Sequence, residues 1–251
     1  MSSNPVRGAA FMLDGLTLLS RPGLKRYVAI PFLVNLLVFT GAIWYGLARF
    51  GDAVAWMEQQ LPTWLQWLDW LLWPLFVLAL LVIVFYSFTL VANFLASPFN
   101  GLLAEKAEAL LTGRAVDEPL DTAKLIKELP QTLWDEVRKV LYALVWTIPF
   151  LILAFVVPLI GPLIWFLFSA WMLAVQYSDF PMGNHGLLFR DQRACLRERR
   201  FTAIGFGAAA TGLTMIPILN FIAMPAAVAG ATAMWVKVMQ ETRTAQAKAN
   251  P

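Results

Sequence analysis

The sequence predicts an all-α integral membrane protein, and three observations support that fold class. Of its 251 residues, 59% are hydrophobic and only 14% are charged, whereas about a quarter of a typical soluble domain is charged. Eighteen Phe and eleven Trp add to this apolar content. Stretches without a single Asp, Glu, Lys or Arg, such as 140–178 and 201–236, are longer than one membrane-spanning helix requires. We expect a single membrane domain over residues 1–251.

Two long transmembrane helices are predicted at 22–50 and 71–103. A helix rises about 1.5 Å per residue, so roughly twenty apolar residues cross the hydrocarbon core. Tryptophans recur every three residues from 64 to 73, partly within the linker predicted at 51–70, which is typical of the headgroup level. Residues 6–20 predict a short helix lying in the membrane interface. Its apolar face would carry Met12, Leu13, Leu16 and Leu19.

Residues 104–139 are the one long polar region, and they predict amphipathic cytoplasmic helices with a break near Pro130. The blocks 140–178 and 201–239 are each predicted to form a helical hairpin. Their turns, PLIGP at 158–162 and IPILN at 216–220, carry no charge, although a turn that emerges into water normally carries polar residues. We therefore predict two re-entrant hairpins whose tips stay in the bilayer. The alternative is two ordinary pairs of full spans joined by tight turns.

The distribution of basic residues predicts the orientation in the membrane. If both hairpins return to the side from which they enter, 18 of the 19 Lys and Arg, all except Arg49, lie on one face. The positive-inside rule makes that face cytoplasmic, together with the N- and C-termini. The densest basic run, RDQRACLRERR at 190–200, is then predicted to contact phospholipid headgroups. Guiding an anion inward is the alternative role for this run.

The stretch SRPGLKRYVAIPFLVN at 20–35 predicts an anion site at the start of the first long span. Pro22 suits the first turn of a helix, and Gly23 leaves the backbone N–H groups that follow it uncovered. Lys25 and Arg26 add two positive charges within one turn, at the positive end of the helix dipole. The alternative is that these two cations only set the topology and face lipid headgroups.

Signals of soluble enzymes are absent or misplaced. GFGAAA at 205–210 matches a loose dinucleotide pattern, but no strand precedes it, and its small residues instead predict close helix packing at Gly205, as Gly230 does in the next helix. The chain has one histidine, His185, one cysteine, and neither a zinc motif nor a Walker motif. We therefore predict no catalytic residue, no metal site, no cofactor and no nucleic-acid partner.

Three stretches of the sequence resemble the CysZ-type sulfate permeases of bacterial inner membranes. They are LTLLSRPGLKRYVAIPFLVN at 16–35, LVANFLASPFNGLLAEKAE at 90–108 and DFPMGNHG at 179–186, and the similarity in the order of apolar blocks extends nearly end to end. The resemblance implies sulfate uptake for cysteine biosynthesis, two long spans, two partly inserted hairpins, and dimers or larger homo-oligomers. It also implies that backbone amides and basic side chains bind the sulfate at Gly23, Leu24, Lys25 and Arg26. Lys25 stands where arginine is commoner in the family, which keeps the charge but loses bidentate geometry.

The predicted membrane fold and anion site are compatible with two classes of function. The first is transport of sulfate, a dianion that two cations nearly neutralise while N–H donors replace its lost waters. The second is a non-transporting membrane protein that senses anions or scaffolds sulfur assimilation. Glu105 and Glu108 are candidates for pairing with basic residues in a gate, and the alternative for both is the solvated start of a helix.

Overall fold

The structure, a computed structural model, describes residues 3–60, 69–113 and 122–240. In these ranges all regular secondary structure is helical, and four helices contain segments apolar and long enough to cross a membrane, so the all-α membrane class is confirmed. The helices are α1 (Pro5–Leu19), α2 (Lys25–Gln60), α3 (Asp69–Thr112), α4 (Thr122–Val156), α5 (Gly161–Asn184), α6 (Phe189–Glu198), α7 (Arg200–Thr214), α8 (Pro217–Met234) and a π-helix (Trp235–Met239). The four candidate spans are Lys25–Gly46, Val137–Val156, Gly161–Asn184 and Pro217–Met239.

The chain divides into two compact units. The larger, which we call the core unit, comprises Met1–Arg26 and Asn100–Pro251, and the smaller comprises Tyr27–Phe99. Each boundary falls within a helix, since α2 starts in the core unit and α3 ends in it. The core unit therefore contains α1, the last part of α3, and α4 to α8.

The smaller unit is built from the two longest helices. α2 continues to Gln60, ten residues beyond the end predicted for it, and an Arg49–Asp52 ion pair of 3.1 Å spans the predicted boundary. Its 36 residues measure about 54 Å. The remainder of the predicted linker, including Trp64 and Trp67, lies mostly outside the described residues. α3 covers the second predicted span, although the side chains of 83–98 lie outside the described set.

Helix α1 is packed between α7 and α8 by a face on which glycines are prominent. The buried residues are Gly8, Phe11, Met12, Gly15 and Leu18, whereas Leu13, on the face predicted to lie in the membrane interface, is 63% exposed. A Cβ atom added at Gly8 would overlap the carbonyl oxygen of Thr202, and one at Gly15 would overlap that of Ala226. The missing side chains let the backbones approach closely, which an apolar-residue count does not register.

Each block predicted as a hairpin contains two consecutive helices joined by a short turn, α4 with α5 and α7 with α8, and the two helices of each pair contact each other. In α4 the helix is continuous from Thr122, so the break predicted near Pro130 was wrong. A proline removes its own N–H bond to residue 126 and crowds that carbonyl, but the helical turns on either side can continue across such a kink. Gly205 and Gly230 do permit close packing as predicted, and both approach the backbone of α1, at Pro5 and Phe11 respectively.

Ion pairs lie at the base of each hairpin, where the uncharged stretches end. Lys139 at the start of the first stretch contacts Asp179 at its end, with an Nζ–Oδ2 distance of 2.7 Å. The amide of Gln192, which is 2% exposed, donates to the other oxygen of Asp179 at 2.7 Å. At the end of the second stretch, Lys237 contacts Asp14 of α1 at 2.8 Å. Charge is thus confined to the bases of the hairpins.

Candidate functional site

The predicted anion-binding stretch forms a tight turn between α1 and α2. The N–H of Arg21 donates to the carbonyl of Leu18 at 3.0 Å, which closes the end of α1, and the N–H of Leu24 donates to the carbonyl of Arg21 at 3.4 Å. Gly23 has a φ of 94°, in the left-handed region that glycine adopts without a steric penalty. Leu24 is fully buried and anchors the turn. The sequence Pro-Gly-Leu therefore has a defined conformation rather than serving as a plain linker.

The predicted basic pair occupies the first turn of α2, which begins at Lys25. Both Lys25 and Arg26 are exposed. The first N–H groups of any α-helix have no partner within the helix, and the helix dipole makes this end positive. Backbone amides and cations are therefore brought together at the start of α2, the combination that favours a bound anion.

A pocket of about 360 Å³ opens beside this turn, entirely within the core unit. One wall consists of the turn itself and Arg26. The opposite wall is the last part of α3, whose contributing residues follow one helical face at intervals of three and four. The lining residues are Pro22, Gly23, Leu24, Arg26, Lys106, Ala109, Leu110 and Gly113.

The pocket includes a cation that the sequence reasoning missed. Lys106 lines it together with Arg26, although the two residues are 80 positions apart, whereas Lys25 is not among the lining residues. In the sequence, Lys106 lies between two glutamates, which predicts a solvated helix surface. The signal that could have identified it is the helical spacing of Lys106, Ala109, Leu110 and Gly113, combined with the knowledge that this face meets the Pro22–Gly23 turn.

The two glutamates proposed for a gate have different surroundings. Glu108 contacts His185, whose Nε2 lies 2.9 Å from each carboxylate oxygen. The His185 ring also lies 5.4 Å from the ring of the buried Trp235. Glu105 is half-buried on the same helix. The structure thus joins Glu108 to His185, the chain's only histidine. The position of His185 in a polar loop of the sequence did not reveal this contact.

The contact between α3 and the end of α5 involves the backbone as well. The side-chain amide of Asn184 donates to the carbonyl oxygen of Gly101 at 3.0 Å. Leu103, Ala104 and Ala107 of the same helix are fully buried. This segment of α3 is therefore held in place by its own packing and by the contact with Asn184. Within the described residues, no group of three or more His, Cys, Asp or Glu side chains is arranged to hold a metal ion.

The sequence profile of the family described as "Sulfate transporter CysZ/Etoposide-induced protein 2.4" matches residues 11–225, which is most of the chain. The chain belongs to this family. Proteins from two strains of Pseudomonas aeruginosa, each named "Sulfate transporter CysZ", are 44% identical to it over 232 residues. The aligned region covers 92% of this chain and 94% of theirs. The resemblance drawn from the three sequence stretches is therefore confirmed.

Membership of the CysZ family settles two of the broader predictions. The family is described as a transporter family, so the prediction that the chain is not an enzyme is confirmed. Together with four helices that can cross a membrane, it also makes the chain a multi-pass membrane protein. The matched region contains the whole turn from Ser20 to Arg26, the α3 wall of the pocket and the loop that carries His185.

Proposed function

We propose that this protein transports sulfate across the bacterial inner membrane and thereby supplies cysteine biosynthesis. The observation that carries the proposal is the 44% identity, over nearly the full length of both chains, to proteins named sulfate transporters. Inner-membrane location and the link to cysteine biosynthesis follow from the resemblance described above. Sulfate is the substrate, and membrane lipids and further copies of the chain are the expected partners.

The oxyanion binds at the start of α2, at Gly23, Leu24, Lys25 and Arg26. The left-handed conformation of Gly23 and the burial of Leu24 support this, because they give a defined conformation to the turn ahead of the first amides of α2. Lys25 and Arg26 supply charge to the same end of the helix. A dianion held by amides and two exposed cations can also leave, which a transport site requires.

Both hairpins are re-entrant in this proposal, with their tips inside the bilayer. The exposed side chains at the tips are apolar: Leu159 is 93% exposed and Ile218 is 81% exposed, a large cost in water but none in lipid. Helix α7 has 15 residues and measures about 22 Å, which is short of the roughly 30 Å hydrocarbon core.

The backbone of the tips is also suited to a lipid environment, in which each unpaired N–H costs several kcal/mol. In the first turn, the N–H groups of Val157, Ile160 and Gly161 donate to backbone carbonyls, and in the second those of Met215 and Ile216 do so. The prolines at 158, 162 and 217 have no N–H to satisfy. These prolines therefore leave fewer N–H donors in the turns. Pro162 and Pro217 also lie in the first turns of α5 and α8.

The ion-paired bases of the hairpins then lie at the cytoplasmic surface, with both termini on that side. This level is marked by the charged residues that bound the two uncharged stretches, Lys139 and Asp179 for the first and Arg200 and Lys237 for the second. No charged residue lies within either stretch. The exposed Arg190 and Arg197 of α6 lie at the same bases and face lipid headgroups. This orientation places the oxyanion site near the cytoplasmic end of the path.

Transport is tested by measuring the uptake of radiolabelled sulfate into liposomes that contain the purified protein. We expect uptake above that of empty liposomes, and a loss of both uptake and sulfate binding in the double variant Lys25→Ala/Arg26→Ala. The double variant Arg190→Ala/Arg197→Ala removes the same charge from α6 and should retain both properties. Binding without any uptake would instead support an anion sensor or scaffold, and unchanged affinity in Lys25→Ala/Arg26→Ala would place the site elsewhere.

A further inference from the structure

We infer that Lys106 of α3 is a ligand of the oxyanion, so that the site is a cleft with one cation on each wall, Arg26 and Lys106. This inference rests on the proposed function and adds a residue to its site. Arg26 and Lys106 are the two charged residues among the described residues that line the pocket beside the Pro22–Gly23 turn. Both are positive, and they come from helices that are far apart in the sequence.

Among the described residues of the α3 wall, Lys106 is the charged residue that faces the pocket. Its other contributions to the pocket are Ala109, Leu110 and Gly113, which carry no polar side-chain atom. Gly113 ends the helix with a φ of 67°, and its N–H donates to the carbonyl of Ala109 at 2.9 Å. An anion that enters the pocket would therefore meet the Lys106 ammonium on this side.

The segment of α3 that carries Lys106 is held by contacts of its neighbouring residues. Buried Leu103, Ala104 and Ala107 pack into the core unit, and His185 contacts Glu108 at 2.9 Å. That contact also directs the negative charge of Glu108 toward the end of α5. The cation is thus presented from a wall that is already in place, so little ordering is needed when the anion binds.

Lys25 has a different part in this arrangement. It is exposed and does not line the pocket, so it acts on the anion through its charge in a solvated position, where screening by salt is strong. Lys106 is half-buried, and a contact there is screened less. An ammonium group is also a compact point charge without the fork geometry of arginine, which suits a site that must release its ligand.

The test compares sulfate affinity, measured by titration calorimetry on the full chain in detergent, for Lys106→Gln, Lys25→Gln and Arg26→Gln. We expect Lys106→Gln to weaken binding by about tenfold, the effect of losing one charge-assisted contact, and Lys25→Gln to weaken it by about threefold or less. Lys106→Arg should bind nearly as well as the native chain. Arg190→Gln removes an equal charge from exposed α6 and serves as the matched control.

Two results would separate the inference from the proposed function. If Arg26→Gln abolished binding while Lys106→Gln matched the Arg190→Gln control, the inference would be wrong and the site at the start of α2 would stand. If Arg26→Gln had no effect, the site itself would be wrong. Should Lys106→Gln fail to fold, as judged by its thermal unfolding, Lys106→Met provides a second neutral variant of similar length, and the same affinity criterion applies to it.

Discussion

The two hairpins have similar apolar composition but opposite surroundings. In the α4 segment Val137–Val156 none of the residues is buried, and large side chains such as Phe155 and Trp146 face outward. In the segment Pro217–Met239 of the second hairpin, 61% of the residues in an 18-residue apolar window are buried, mostly small ones such as Ala227 and Ala231. Hydropathy therefore predicts that a segment enters the membrane, whereas residue size distinguishes a lipid-facing helix from one packed among other helices.

The difference follows from what drives helix association where lipid is the solvent. Burying a leucine gains little there, because lipid tails are as apolar as the protein interior, and close backbone contact becomes the main contribution. α8 achieves this contact with α1 through Gly15 and Gly230, and α7 does so through Gly8 and Gly205. α4 has no comparable row of small residues in its exposed segment.

The largest effect on stability is expected from a side chain introduced into the α1–α8 contact. In Gly15→Leu, the new atoms would overlap the carbonyl of Ala226 and the backbone of Gly230, so the helices must separate. We expect the free energy of unfolding to fall by about 3 kcal/mol or more, measured by chemical denaturation in detergent micelles. Gly41→Leu is the matched control, because a Cβ atom at Gly41 of α2 meets no atom within 4 Å. Equal stability of the two variants would contradict the tight packing of α1.

A moderate effect is expected at the bases of the hairpins, where the two ion pairs differ in exposure. Asp179→Ala removes the carboxylate that contacts the 19%-exposed Lys139 and an acceptor of the buried amide of Gln192. We expect a loss of about 2 kcal/mol. Asp14→Ala breaks a pair whose side chains are 45% and 40% exposed, and should cost less than about 1 kcal/mol. Thermal unfolding of both variants measures the two losses of stability. A larger loss in Asp14→Ala than in Asp179→Ala would contradict the prediction that the less exposed ion pair contributes more.

Sequence reasoning located the features that depend on local composition. The apolar blocks, the uncharged hairpin turns and the unusual Pro22–Gly23 turn are all properties of a few adjacent residues, and the φ of 94° at Gly23 fits that interpretation. The end of α2 was predicted ten residues too early, because the charged residues after position 50 suggested a linker. Residues 52–60 contain no strong helix breaker, and the helix continues through them.

The features that escaped prediction depend on residues that are distant in the sequence. Nothing local indicates that Lys106 shares a pocket with Arg26, or that Glu108 contacts His185 across 77 positions. The face by which α1 packs against α7 and α8 was not predicted, because glycine carries no hydropathy signal, although Gly8 and Gly15 permit its closest contacts. Tertiary packing decides these contacts, and a periodicity analysis of one helix does not contain that information.

The smallest effect on stability is expected at the two tips, where we expect no difference between the hairpins. Leu159→Cys and Ile218→Cys, each in a Cys195→Ala background, replace side chains that are 93% and 81% exposed on the protein surface. Because neither side chain is covered by its own chain, only lipid or a second subunit can shield the new thiol. We expect that a membrane-impermeant maleimide labels neither cysteine from either side of sealed vesicles, since an apolar environment also suppresses the reactive thiolate.

Both cysteines should label once the membrane is dissolved in detergent, which shows that the thiols are intact. The positive control is Ala194→Cys in the same background, on the exposed face of α6, which should react from the cytoplasmic side of inverted vesicles. Labelling of either tip from the side opposite to Ala194→Cys would mean that this hairpin crosses the bilayer as two full spans. The hairpin of α7 and α8 is the stricter case, because α7 has only 15 residues with which to reach that surface.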